Sequence, residues 1–594
     1  MTLKDKLIKL SLLLIIVFLV ISGFSLLGSS YLPFELVKVK IDALTVDGRA
    51  DFLSIAFFEQ MVVRLRFLGI LLLLMGAVLY MGKRRAQQRI SNMLTSFFSF
   101  LRELTQHFSQ TVRKEDKIHL YTFFIVLLLA IVVRVFFLFQ PMRYDEAFTF
   151  TNYVSRPLYI GLTSYMPNNH IFHTLLVRLA YLVFGNQPWI IRLPALFAGI
   201  LLVPASYMVI RIFYDKYAAL LTAGIVASSS ALIEYSVNAR GYTMLCLIFL
   251  LILALGTYLK ESENSVAWLL FALLSALGFY TIPIMLYPLG IVIVWLFLSA
   301  IFKDTNLSAS HLLKNMFLSL LVIAFLTFML YFPVFAAYGL KIVVVAARSW
   351  SYLVAEFPPS LRSVWNHWNR GIPFGISFLF VIGFFTSLVF HRRLTIHRVP
   401  IILAVAMWCI PALVVHRVVP PVRVWLFLLP LYIGFASSGV SYLLRTIGSK
   451  INRYNYVIFG ILTITVSFWL SLNVIHTKSV YYYQDNRTLR DAETITIFLK
   501  DYLKPGDRVL ADCPSDAPLM YYFNLYDVPV EHFFYDLDSS YRILAIVHEL
   551  RQTLEGLLRE EGLAVTNYSV PELIRQYKYA SLYEINRVNA GRKR

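Results

Sequence analysis

Long apolar runs recur along this chain, and each is long enough to cross a bilayer as a helix, for which about 17 to 25 residues are needed. They fall at roughly 9–30, 66–82, 119–140, 190–211, 217–234, 241–259, 265–281, 283–302, 315–338, 372–390, 399–415, 424–444 and 455–475, about thirteen in all. The run "WLLFALLSALGFYTIPIMLYPLGIVIVWLFLSAIF" must be divided at Thr281 to Pro283, because proline lacks the N–H that would continue the helix. With 58% hydrophobic and only 15% charged residues among 594, and a mean hydropathy of +0.67, an ordinary soluble globular protein is excluded. The expected fold is an α-helical polytopic membrane protein.

A net charge of +20 could point to nucleic acid. The basic residues, however, sit mostly in short connections between apolar runs, as positive-inside topology requires, so no nucleic-acid partner is expected. "GKRRAQQR", "TVRKEDK", "HRRLTIHR" and "RTIGSKINR" all fall on one side if the helices alternate, and that side is assigned to the cytoplasm. "MTLKDKLIKLSLLLIIVFLVISGF" resembles a signal peptide but lacks a small-x-small cleavage site, so it reads as an uncleaved first helix with a cytoplasmic N-terminus in a plasma (inner) membrane. The stretches 141–190, 339–371 and 476–594 then lie outside. Within the linker 83–118, "ISNMLTSFFSFLRELTQHF" has helical apolar spacing; a surface-lying helix and a solvated connector both fit.

The last segment reads as a small extracytoplasmic α/β domain. "RDAETITIFLKDYL", "APLMYYFNLY" and "QTLEGLLREEGL" have helical periodicity, while "PGDRVLAD", "YRILAIVHE" and "YASLYEINRV" read as strands. No glycine-rich phosphate loop follows these strands, so no nucleotide is assigned. Cys246, Cys409 and Cys513 are far apart and form neither a disulfide framework nor a zinc pattern. The domains are taken as 1–118 (two helices and a basic linker), 119–475 (the helical membrane domain) and 476–594.

Three outer stretches could carry chemistry. "MRYDEAFTFTNYV" ends a span with Asp145 and Glu146, whose side chains diverge by about 100° on a helix, so one can act while the other orients a partner. In the same loop His170 and His173 lie one turn apart and could bind a substrate oxygen or a metal, while Arg192 enters an apolar run and needs an anionic partner. "SSSALIEYSVNARGYTML" brings Glu234 and Arg240 to the outer surface, as a salt bridge or part of a site. "VVHRVVPPVRVWLFLLPLY" carries His416, Arg417 and Arg423 where outer loops should avoid arginine. A guanidinium at the interface matches phosphate oxygens bidentately. Carboxylates for proton transfer beside arginines for phosphate are what a transferase needs if it takes a sugar from a membrane-bound polyprenyl phosphate.

At this point the sequence resembles the GT-C superfamily of polytopic glycosyltransferases, in particular bacterial family 39-like and protein O-mannosyltransferase-like members. "YDEAFT" follows a helix carrying Arg134, and "FGNQPWIIRLPALFAGILLVP", "EYSVNARGYTM", "RVWLFLLPLY" and "TLRDAETITIFLKDYLKPGDRVLAD" follow in order across about 119–594. The resemblance implies transfer from a polyprenyl-phosphate sugar to a glycan, lipid or protein acceptor, with Asp145 as the base and Glu146 beside it. His170, Glu234, Arg240, Arg417 and Arg423 are the substrate-binding candidates, Arg423 foremost for the lipid phosphate. Aminoarabinose transferases to lipid A carry an acidic and basic pair before a proline in the first loop; "MPNNHIFH" stands here instead. No inserted luminal domain of the eukaryotic O-mannosyltransferase kind is present, and residues 1–118 lie outside the resemblance.

The sequence requires no cofactor and leaves metal dependence open; besides donor and acceptor, its partners are membrane lipids. The main rival is a polytopic transporter or lipid flippase, whose ionisable residues should sit near the bilayer midplane on interrupted helices. Those of this chain gather at outer helix ends. A transferase of phosphoethanolamine or of whole oligosaccharides is the rival within the enzyme class.

Overall fold

The computed structural model describes residues 3–42, 53–339, 348–447, 454–481, 488–534, 542–560 and 569–586. Two compact units are formed: Met1–Glu115, Ser262–Leu273 and Asn315–Val345 make the first, and Asp116–Glu261, Leu274–Lys314 and Ala346–Arg594 the second. Among the described residues nine helices are long and apolar enough to cross a membrane, ten if the bent pair Lys216–Ser228 and Ser230–Ser236 is one span; Ile171–Phe184, Ser265–Thr281, Phe374–Val389 and Ile401–His416 are apolar but shorter. All thirteen segments read from hydropathy have a counterpart among these, and Ile171–Phe184 is an additional helix within 141–190, the stretch read as a loop. A 3₁₀ turn at Pro283–Met285 divides the long apolar run where the proline demanded it.

In the first unit, Leu3–Ser29 packs along Ile55–Met81. Glycines make the approach close: a Cβ on Gly23 would meet the Gly69 carbonyl at 2.9 Å, and one on Gly69 would meet that of Gly23 at 2.9 Å. Such contacts between small residues are how helices associate in lipid, where water exclusion contributes little. The basic linker is a single amphipathic helix, Lys83–Lys114.

In the second unit the bent pair turns by 60° at Ser229. A break of this kind frees backbone carbonyls, and Arg134 from helix Lys117–Phe136 takes them up: its guanidinium donates to Ala227 O (2.9 Å), Val226 O (3.3 Å) and Ser236 Oγ (3.2 Å). A charge inside a membrane helix is tolerable only when its donors are satisfied in this way. Arg134 therefore holds the kink rather than facing a substrate.

The C-terminal domain has a four-stranded sheet in the order β1-β2-β4-β3, with β1 (Arg508–Leu510) parallel to β2 (Arg542–His548), and β4 (Ala580–Asn586) antiparallel to both β2 and β3 (Glu572–Gln576). The helices Ala492–Tyr502, Asp516–Leu525 and Leu554–Glu560 accompany it. Among the described strands the sequence reading missed β3, whose side chains are largely exposed and so lack apolar alternation; it also did not read the 3₁₀ turn Val530–Phe533. One apolar core joins this domain to the residues next to the acidic pair: Met142, Ala147, Phe150, Val177 and Ala239 pack with Leu519, Tyr521, Tyr522 and Leu544. The Met142 N–H donates to Tyr522 Oη at 3.2 Å. The segment that carries the acidic pair is thereby clamped between the membrane helices and the sheet domain.

Candidate functional site

The acidic pair lies on the short helix Tyr144–Thr149, which starts by a local rule. Glu146, at the third helical position, reaches back so that its Oε1 accepts the Arg143 N–H at 2.9 Å. That leaves Asp145 about 100° around the helix. The two carboxylates have opposite surroundings. Glu146 is 1% exposed and accepts from Arg192 through both oxygens, with Nε at 3.1 Å, and from the Ala239 N–H at 2.9 Å. Asp145 keeps 29% of its side chain exposed and stands 4.0 Å from the Arg423 guanidinium.

Burial pushes the Glu146 carboxyl up, but the Arg192 guanidinium, its hydrogen bonds, Arg143 and the Ala239 N–H together outweigh it and hold Glu146 below the ordinary carboxylate range. Arg192, which sequence reasoning required to have an anionic partner, finds it in Glu146. Its remaining donors go to Leu138 O, Gln140 O (both 2.7 Å) and Pro141 O (3.0 Å). One buried ion pair thus fixes the path of the chain that enters the acidic helix.

Asp145 opens into a cavity of about 500 Å³, lined by Arg143, Glu234, Arg240, Arg423 and Arg551 and by the tyrosines Tyr235, Tyr242 and Tyr352 among others. Glu234 is 3% exposed and pairs with Arg143 (3.3 Å) and Arg370. It does not pair with Arg240, the neighbour that the turn predicted. Arg240 clamps a loop: it donates to Asn168 O (2.6 Å), Asn168 Oδ1 (3.3 Å) and Thr149 Oγ1 (3.0 Å). Its Nε has no hydrogen-bond partner among the described residues.

His170 is 3% exposed; its Nδ1 accepts the Gly241 N–H at 2.9 Å and its ring lies beside Arg240. Burial, then the charge of Arg240, hold it well below the ordinary histidine range, so it is a neutral strut that does not line the cavity. His173 is likewise buried and neutral, pushed down to about 3 by burial and Arg240. Among the described residues no three His, Cys, Asp or Glu side chains are grouped to hold a metal. Arg417 does not line the cavity either: it is the left-handed cap of helix Ile401–His416, with its guanidinium 5.4 Å from the Trp350 ring centre.

Sequence reasoning missed the helix Trp350–Trp368, inside the stretch taken as outer loop, and with it Tyr352, Glu356 and His367 on the cavity wall. A signal existed: Trp350, Val354, Phe357, Leu361, Val364 and Trp368 recur at helical spacing, masked by Pro358 and Pro359. Arg143, Tyr235, Tyr242 and Arg551 were also missed, the last supplied from beyond β2 by the C-terminal domain.

Residues 168–353 match the family model described as dolichyl-phosphate-mannose-protein mannosyltransferase. No curated protein matches the chain in sequence. Among solved structures, ArnT from Cupriavidus metallidurans in the apo state superposes with a TM-score of 0.51 at 13% identity, over 77% of this chain and 97% of that one. The same protein bound to undecaprenyl phosphate gives 0.48 at 14% identity, over 77% and 97%. The oligosaccharyltransferase of Archaeoglobus fulgidus gives 0.42 at 13% identity, over 77% and 72%.

Proposed function

We propose that this chain, a multi-pass membrane protein with the fold of the GT-C glycosyltransferases, transfers a sugar from a polyprenyl-phosphate donor to a hydroxyl of a cell-envelope glycan, lipid or protein. The observation that carries the reading is the pairing of an accessible carboxylate, Asp145, with Arg423 at 4.0 Å on the wall of one cavity at the helix ends. Asp145 accepts the proton of the acceptor hydroxyl as that oxygen attacks the anomeric carbon. The bond from that carbon to the phosphate oxygen breaks, and the guanidinium of Arg423 neutralises the charge that develops on the leaving phosphate. Direct displacement inverts the anomeric centre.

Arg423 supplies the phosphate contact because it is the arginine beside Asp145 that is still 42% exposed. Arg240 takes a supporting role, since most of its donors hold the Asn168 loop. Glu146 and Glu234 position the site, and Arg417 lies outside it. The positive-inside bias of the basic connections supports a cavity and sheet domain on the extracytoplasmic face of the plasma membrane, with the N-terminus in the cytoplasm. A lipid-linked donor suits that face, where nucleotide sugars are absent.

The test is transfer by purified protein carrying Asp145→Asn, with mass spectrometry of envelope glycans and glycoproteins made with and without the wild-type chain. Transfer should fall by about 10²-fold or more while donor lipid still binds. Full activity in D145N, or unchanged glycans when the chain is removed, refutes the reading.

A further inference from the structure

A second cavity, of about 610 Å³, lies against the connection between helices Phe374–Val389 and Ile401–His416 and is lined by Arg392, Thr395, Ile396, His397 and Arg398 with Phe302 and Leu403. It belongs to the far end of the helices. Helix Tyr242–Leu259, about 27 Å long at 18 residues of 1.5 Å each, has Arg240 of the first cavity just before it and Lys260 just after it.

Its floor is built. Lys260 is 2% exposed, and its Nζ donates to Asp304 Oδ2 and to His397 Nδ1, both at 2.9 Å. The carbonyl of Lys260 in turn accepts from Asn306 N at 3.2 Å and from Thr305 Oγ1, so the 304–306 turn is tied to the same residue. The His397 ring is 3% exposed and packs against Phe213 and Trp295. Because an ammonium donates to Nδ1, the neutral ring must carry its proton on Nε2, and that donor has no partner among the described residues. Burial, then Lys260, push this histidine down to about 4, in keeping with a neutral ring.

Helix Ile401–His416 begins at Pro400, which lines the cavity, with no side-chain cap, so the positive end of its dipole lies at the cavity wall. Arg392 and Arg398 are exposed beside it, and neither lies opposite a carboxylate of the cavity lining. Phe302, Ile396 and Leu403 are 55%, 83% and 40% exposed on its rim. The wall thus combines two guanidiniums, a helix N-terminus and the largely buried His397 with an apolar edge.

We propose that this cavity binds the phosphate of an anionic phospholipid headgroup, at the membrane surface opposite the candidate transfer site. Arg392 and Arg398 clamp the phosphate oxygens, the helix N-terminus and His397 face the same anion, and the acyl chains lie over Phe302, Ile396 and Leu403. The proposal does not depend on the transfer reading.

The experiment uses the full-length protein in detergent, titrated separately with short-chain phosphatidylglycerol, short-chain diacylglycerol and inorganic phosphate, with binding followed by native mass spectrometry. The double variant R392Q/R398Q is compared with R84Q/R85Q, which removes the same charge from exposed arginines elsewhere. Phosphatidylglycerol should bind the wild type and R84Q/R85Q alike, and R392Q/R398Q at least about tenfold more weakly. Asp145→Asn should leave this binding unchanged. Equal binding of diacylglycerol, equal binding of inorganic phosphate, or an equal loss in both double variants would each overturn the proposal.

Discussion

Glu146→Gln isolates the buried pair from the chemistry, because it keeps the shape of the side chain and removes only its charge. In the wild type the carboxylate accepts from Arg143 N, Ala239 N and the Arg192 guanidinium, all buried. An amide offers one acceptor oxygen and places an NH₂ against one of these donors. Breaking a buried ion pair costs about 3–5 kcal/mol. The lower end applies, since Arg192 retains three backbone carbonyls. About 3 kcal/mol is roughly a hundredfold shift in the local opening equilibrium. Amide hydrogen exchange in 143–149 and at Ala239 should accelerate by that factor, because exchange of this kind reads local stability. Its pH dependence has a definite sign. The Glu146 carboxyl lies below its ordinary 4.5 when folded, so its stabilisation is complete above about that value and is lost as pH falls through the lowered one. Protection in the wild type should therefore decline in acid, and in E146Q it should be low and insensitive to pH over that range. Unchanged protection in E146Q, or an equal loss in Asp145→Asn, would refute the division between an orienting Glu146 and a reacting Asp145.

Arg423→Lys keeps the charge but loses the planar fork, so steady-state transfer should show the KM for the lipid donor raised by about tenfold, and Arg423→Gln should lose more; unchanged kinetics would remove Arg423 from the phosphate site. Arg417→Ala should alter transfer by less than about twofold, since an exposed cation–π contact contributes only about 0.5–1 kcal/mol and this one lies away from the cavity. Arg240→Gln should release the Asn168 clamp, seen as faster limited proteolysis within 164–170, and activity should fall with it. Proteolysis at the wild-type rate would show that the loop is held by other contacts.

Most of the helical architecture was legible because lipid imposes a length and an apolar content on any segment that crosses it. The failures share a physical cause. The second span begins at Ile55 rather than near 66, since Glu59, Gln60, Arg64 and Arg66 depress the local hydropathy. What keeps them helical is partly non-local: Arg64 donates to Ala336 O at 2.9 Å and Arg66 to Ser30 Oγ at 3.3 Å. The same holds at the site. A buried arginine at 192 could be read as requiring an anion, because an unpaired guanidinium in an apolar setting is too costly to persist. That its partner is Glu146, and that Glu234 turns to Arg143 and Arg370 rather than to nearby Arg240, depends on how helices meet that are remote in sequence. Sequence therefore exposes the need for a partner, which is a local matter of solvation, while the fold selects the partner. The pairing also separates the two acids: once Arg192 and two backbone N–H groups have taken Glu146, Asp145 is the carboxylate of the pair left facing the cavity, and the proposed role as base for an acceptor hydroxyl rests on that difference.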